Sequence, residues 1–227
     1  MHDADKIARK HEAKRELILD AAMQLIRETG FDDLTMKDIA NKCSLSKGTL
    51  YIYFKSKDEI LESLFLTAGN RFLIYVKEHT KEVMTGLQKL MVIWEAYLQF
   101  YGTSDDILLI AGIKNYMDPT FPVVLPQNNQ SKSSPLYLLY EFLVEVIESG
   151  HKDGTIEKGV NAEGIAKAVL IVHGAILDIV QRLPKSDEDK IKKVIMEIRS
   201  IFMIFLRGIV PDNVDRSELN LIDIDMV

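Results

Sequence analysis

The chain has 227 residues, 47% of them hydrophobic and 27% charged, with a formal net charge of −6. That length buries a sizeable core in one or two domains, and the acidic balance argues against a protein that coats nucleic acid indiscriminately. The single cysteine, Cys43, excludes an internal disulfide framework and fits a reducing cytoplasm. The charged N-terminus predicts no secretory leader, and no apolar run reaches membrane-spanning length.

In chain order, His2 to His11 reads as a frayed arm. Its neighbourhood carries Lys6, Arg9, Lys10, Lys14 and Arg15, placed either to meet phosphate or simply to be solvated. Leu17, Ile18, Ala21, Ala22, Leu25 and Ile26 then recur at three- and four-residue spacing, the mark of one helix face. Gly30 ends that helix as a left-handed cap, with Phe31 folding back on its last turn. Thr35 and Asp38 form a capping box for a short second helix that buries Met36, Ile39 and Ala40. Cys43-Ser44-Leu45 makes a turn, and Ser46 caps a third helix running to about Ile52. Leu50 and Phe54 bury beneath it, leaving Lys47, Gly48, Thr49, Tyr51 and Tyr53 outward. The free amides and positive dipole end at the start of such a helix favour a phosphate.

This helix-turn-helix runs into Thr49-Leu-Tyr-x-Tyr-Phe-Lys-Ser-Lys57, and the stretch from Arg15 to Leu64 resembles the DNA-binding domain of the TetR family of bacterial regulators. Two departures stand out. Ser44 occupies a turn position where that family usually has glycine, and Tyr53 stands where histidine or an aromatic is common. The resemblance implies that Thr35 bonds a backbone phosphate and that Ser46, Lys47, Gly48 and Thr49 enter the major groove. It also implies that Tyr51 and Tyr53 touch phosphate or a thymine methyl and that Lys57 clamps phosphate. Phosphate contacts set register, while base edges set sequence preference. For Tyr53 a plain core role stands beside the functional one. Charge agrees in sign: residues 1–57 hold 11 Lys/Arg against 9 Asp/Glu, and residues 58–227 hold 17 against 25.

The remainder reads as helical throughout. A long helix from Ser56 or Lys57 to near His79 links the two parts, and another covers about Glu82 to Tyr101, ended by Gly102. A helix over Asp105 to Met117 stops at Asp118-Pro119, and a proline-rich loop follows to Pro135. The next helix covers about Ser134 to Ser149 and ends at Gly150. Met91, Trp94, Tyr97 and Tyr101, with Tyr116, Tyr137 and Tyr140, are candidates to line an apolar ligand pocket, where TetR-like regulators hold inducers. His173, a polar group on an apolar segment, reads as a hydrogen-bonded core histidine.

Two long helices close the chain, one capped by Asn161 and running to Leu183, the other from Ser186 or Asp187 to about Arg207. Ala168, Val172, Ala175 and Ile179 on the first, and Ile198, Phe202 and Phe205 on the second, are the expected dimer interface. A helix apolar on two sides needs cover on both. Two-fold symmetry also suits a palindromic operator.

The fold expectation is all-α: an N-terminal three-helix helix-turn-helix domain over 1–57, and a larger helical ligand-binding and dimerisation domain over 58–227. The functional expectation is a cytoplasmic, sequence-specific transcriptional regulator. It is read as a homodimeric repressor released from a palindromic double-stranded operator by a small, largely apolar effector. The alternative is a helical ligand-binding or interaction module that no longer binds DNA. No glycine-rich phosphate loop, nucleophile–histidine arrangement or metal-ligand spacing appears, so neither an enzyme nor a metal or cofactor protein is expected.

Overall fold

The computed structural model describes residues 2–30, 33–103, 134–181 and 188–219. Among these run eight α-helices and no strand: α1 (His2–Thr29), α2 (Met36–Lys42), α3 (Lys47–Tyr53), α4 (Lys57–His79), α5 (Gly86–Thr103), α6 (Pro135–Asp153), α7 (Ala162–Gln181) and α8 (Glu188–Ile209). A 3-10 turn, Arg216–Leu219, follows and buries Leu219 completely, so the first part of the C-terminal tail packs on the helices. The helix expected over 105–117, most of the loop after it, Phe31, Leu221 and Ile222 lie outside the described residues.

Two buried clusters organise the fold. One joins Ile18, Ala22 and Ile26 of α1 to Ile39 and Ala40 of α2, Leu50 and Phe54, and Ile60, Leu61 and Leu64 of α4. The other begins further along α4 with Phe72, Leu73 and Val76 and gathers α5 to α8. The first two turns of α4 therefore complete the N-terminal core, and its last turns belong to the larger one. The packing changes over inside α4, between Leu64 and Phe72, later than residue 57 where the sequence divides the chain.

Three local expectations need correction. The stretch from His2 to His11 is not an arm but the beginning of α1. Leu17, expected on the buried face, is exposed, and Ile18 takes the core position. Gly150 does not end its helix. It lies buried within α6, and the left-handed cap is Gly154 at φ +79°.

The reason is close packing of α5 on α6. A Cβ on Gly86 would come within 2.2 Å of the Gly150 backbone nitrogen, and one on Gly150 within 2.5 Å of Ile156. Only hydrogen at both positions lets the backbones meet. The same crossing caps α5. The Gly86 amide donates to Asp153 at 2.7 Å and the Leu87 amide to the Thr155 hydroxyl at 3.2 Å. Thr85 and Gln88 form a reciprocal capping box, with the Gln88 amide donating to Thr85 at 3.2 Å and the Thr85 amide to the Gln88 side chain at 3.0 Å. The orphan amides that begin any helix are thus satisfied. Burial alone would raise the Asp153 carboxyl pKa, but hydrogen bonds from the Thr155 side chain and from Gly86 and Thr155 amides outweigh it and hold the group below its ordinary range.

Candidate DNA interface

Each helix start in the helix-turn-helix is closed by a residue a few positions away. Thr35, extended at φ −121°, accepts from the Asp38 amide at 3.2 Å, and its hydroxyl donates to the Asp38 carboxylate at 2.5 Å. Ser46 accepts from the Thr49 amide at 3.0 Å, with the two hydroxyls 2.7 Å apart. Ser56 accepts from the Glu59 amide at 3.1 Å, and Lys57 opens α4. Between α2 and α3 the chain turns on Leu45, whose amide donates to the Ala40 carbonyl at 2.9 Å. Ser44 stands at φ +54°, in the left-handed conformation, so the serine takes the strained backbone rather than altering the turn. A residue with a Cβ is strained there by roughly 1–2 kcal/mol.

The third helix has a buried side and a free side. Leu50 and Phe54 are fully buried, and Ile39 and Ala40 support them from α2. Thr35, Ser46, Lys47, Gly48 and Tyr51 are exposed, whereas Thr49, Tyr53 and Lys57 are half-buried. The Lys47 ammonium lies 5.9 Å from the centre of the Tyr51 ring, so charge and aromatic face project as a pair. Ile52 was missed by the sequence reading. It is 66% exposed, one turn beyond Gly48, an apolar group with no core to fill. Its presence in an alternating apolar run concealed it.

Tyr53 turns inward. Its ring meets His11 at 4.7 Å, and its carbonyl accepts from Arg15 at 2.8 Å. The Arg15 guanidinium also lies 4.1 Å above the Phe54 ring. Those contacts fasten the end of α3 to α1. Cys43 sits half-buried in the turn; burial pushes its thiol pKa up, against a smaller lowering by Lys14, which keeps the sulfur protonated and unreactive.

Residues 18–64 match the model of bacterial regulatory proteins of the tetR family. The chain belongs to the TetR family. It is a transcriptional regulator with the fold of that family, an N-terminal helix-turn-helix domain followed by a helical one. A TetR-type relative, the fatty acid metabolism regulator protein of Bacillus subtilis (strain 168), is 28% identical over 138 residues, 60% of this chain and 70% of its own. Among solved structures, the fatty acid degradation regulator FadR from Bacillus halodurans superposes with a TM-score of 0.62 at 18% identity, covering 85% of this chain and 94% of its own. SmeT in complex with triclosan gives 0.63 at 15% identity, covering 89% and 94%.

In this TetR-family chain the remaining sequence candidates are scattered. Trp94 is buried and stacks flat on Phe202, ring centres 3.9 Å apart, joining α5 to α8 as core. Tyr97 meets Phe72 edge-on at 4.4 Å, and Tyr137 lies 6.0 Å from Tyr140. Met91, Tyr97 and Tyr137 are half-buried, and Tyr140 is buried. Burial and then the neighbouring Glu163 carboxylate raise the Tyr140 pKa, so its hydroxyl stays neutral. The side chain of Tyr101, and Tyr116 altogether, lie outside the described residues.

The dimer candidates divide. Ala175 is exposed, and Ala168 and Val172 are half-buried. Ile198 and Phe202, expected at the interface, are core residues 4% and 2% exposed, and Phe205 is half-buried beside Phe202. Their helix is apolar on two sides, and periodicity does not say which side faces inward. The outward side is Met196, Ile201 and Ile204 of α8, with Ile171 of α7. The side chains of His173 and Ile179 are outside the described residues. Among the described residues no helix is long and apolar enough to cross a membrane.

Proposed function

We propose that the chain is a dimeric repressor that reads a palindromic operator with α3 and releases it when a small, largely apolar ligand binds between α5 and α6. One observation carries the DNA reading: Ser46 caps a helix whose Leu50 side is buried while Lys47, Gly48, Tyr51 and Ile52 all project outward. Lysine suits guanine edges and phosphate, and the apolar Ile52 suits a thymine methyl. Thr35 and Lys57 are the phosphate-positioning groups of the reading, and Ser46 and Thr49 enter the major groove with Lys47 and Gly48, while Tyr53 acts from behind to hold α3. Residues 1–57 carry the DNA function and 58–227 the ligand and dimer functions, with α4 shared.

The dimer is supported by apolar surface that the protomer leaves uncovered: Met196 is 67% and Ile204 72% exposed on α8, with Ala175 and Ile171 on α7. Large apolar side chains left exposed on neighbouring helices are the material of association surfaces. An apolar effector is supported by the half-buried Met91, Tyr97 and Tyr137 on α5 and α6, and by similarity to a fatty acid metabolism regulator. The ligand acts only if it binds better to the dimer whose α3 helices no longer sit about 34–36 Å apart.

Selection of genomic fragments on the purified protein at about 150 mM salt tests the reading, because non-specific phosphate binding is weak there. Recovery of one short palindrome, protected by two protomers and released by long-chain acyl ligands, is expected. Recovery of no enriched sequence, with the protein shown to be ligand-free, contradicts it and leaves a helical module that has lost DNA binding.

A further inference from the structure

The first half of α1 has no role in the core. The helix starts at His2, yet its first buried residue is Ile18, and residues 5–13 are all exposed. At a rise of about 1.5 Å per residue, roughly 24 Å of helix precedes the core. Its contacts fix which way it faces. The His11 ring lies 4.7 Å from Tyr53, Arg15 donates to the Tyr53 carbonyl at 2.8 Å, and Cys43 Sγ is 3.8 Å from the Leu17 carbonyl. The α2–α3 turn and the end of α3 therefore run along one side of α1.

This segment carries one stripe of lysines. Lys6, Lys10 and Lys14 recur every fourth residue and share one stripe, and Leu17 continues it toward the turn. Lys14 stands close enough to Cys43 to act on its thiol. Asp5, Glu12 and Glu16 fall, at 100° per residue, on the opposite side of the helix. Sequence composition hides this separation, because both signs are mixed along the chain. In space, the stripe of Lys6, Lys10 and Lys14 leads away from the turn that introduces α3. Three lysines four residues apart span about 12 Å, the axial length of three to four phosphates on one DNA strand.

We propose that the first three turns of α1 form a second DNA-contact surface, in which Lys6, Lys10 and Lys14 sit on the phosphate backbone flanking the half-site read by α3. The partner is duplex DNA, recognised by charge and shape rather than by base edges. The surface adds affinity and lengthens the footprint, and it leaves sequence preference to α3. This inference rests on the DNA-binding reading above.

The test uses the full chain and the palindromic fragment recovered by selection. Lys6→Gln/Lys10→Gln is compared with wild type, leaving Lys14 and its contact with the turn intact; glutamine keeps the helix propensity. Loss of two phosphate contacts from each protomer, four per dimer, is expected to weaken binding roughly 100- to 1,000-fold at 150 mM salt and to reduce the slope of log K against log salt by about 4. Hydroxyl-radical protection should disappear outside the half-site, with the ratio of operator to scrambled-DNA affinity unchanged and helix content by circular dichroism unchanged. An unaltered slope and footprint, with wild type binding normally, overturn the second surface and leave the α3 reading standing. A wild type that binds no duplex overturns both.

Discussion

In the N-terminal cluster, α2, α3 and α4 each begin on a hydroxyl from the adjoining residue, Thr35, Ser46 and Ser56. By contrast, α5 takes two of its caps from Asp153 and Thr155, 67 and 68 positions away. The outer surfaces differ in the same way. Around α3 the exposed groups are mostly polar, while α7 and α8 leave Ile171, Met196, Ile201 and Ile204 uncovered. The first region is finished by itself and offers its surface to a polar partner. The second draws part of its capping from distant residues and leaves apolar side chains exposed, the surface that the proposed dimer would cover.

The largest expected effect separates the two sides of α8. Phe202→Ala removes the ring that stacks on Trp94, and truncating a fully buried aromatic costs about 3–5 kcal/mol. Ile204→Ala on the exposed side should cost under about 0.5 kcal/mol in the protomer. Denaturant melts compare them, and equal losses erase the distinction between core and outer face.

The reverse pattern is expected for association. Met196→Glu/Ile204→Glu should leave the protomer folded but lower the mass seen by light scattering from twice 25.8 kDa to 25.8 kDa. A wild type already running as one protomer breaks the assignment of that face.

Distant capping carries a pH signature. Because the folded Asp153 pKa is depressed, the stability it adds is present above the ordinary aspartate range and is lost as pH falls through the lower, folded value. Asp153→Ala should cost about 1 kcal/mol at neutral pH, in the range for losing a cap, and progressively less as pH falls below the ordinary aspartate range. Thermal melts across that pH range check this, and a loss that does not change with pH removes the carboxylate from the account.

The smallest effect belongs to the local region. Ser44→Gly relieves a left-handed residue and should stabilise by up to about 1 kcal/mol, less what glycine adds to unfolded-chain entropy. No change, or destabilisation, in a urea melt means that the serine is held there by something stronger than its backbone preference.

Legibility followed this same contrast. Gly30, Thr35 and Ser46 were read correctly because each acts on neighbours within four residues, and Leu50 and Phe54 because helical periodicity sets them on the inward side of α3. Even the strained backbone at Ser44 was visible as a departure from glycine. Gly150 was misread as a stop, since its actual task, admitting Gly86 and Ile156, involves partners that sequence does not bring together. Ile198 and Phe202 were assigned to the interface for a related reason: where the helix is apolar nearly all round, from Ile201 to Leu206, the inward side is decided by Trp94 across the core. The arm at His2 to His11 looked frayed because it buries nothing, yet it continues α1 and points its basic edge along the helix-turn-helix.

The central claim is that the outward side of α3 reads DNA. Its most direct test is equilibrium binding of the selected palindrome at about 150 mM salt by wild type and by Lys47→Ala/Tyr51→Ala, two exposed residues outside the core. Specific affinity should fall by 2–4 kcal/mol, roughly 30- to 1,000-fold, with melting and dimer mass unchanged. Unchanged affinity for the palindrome in the folded double variant would contradict the account.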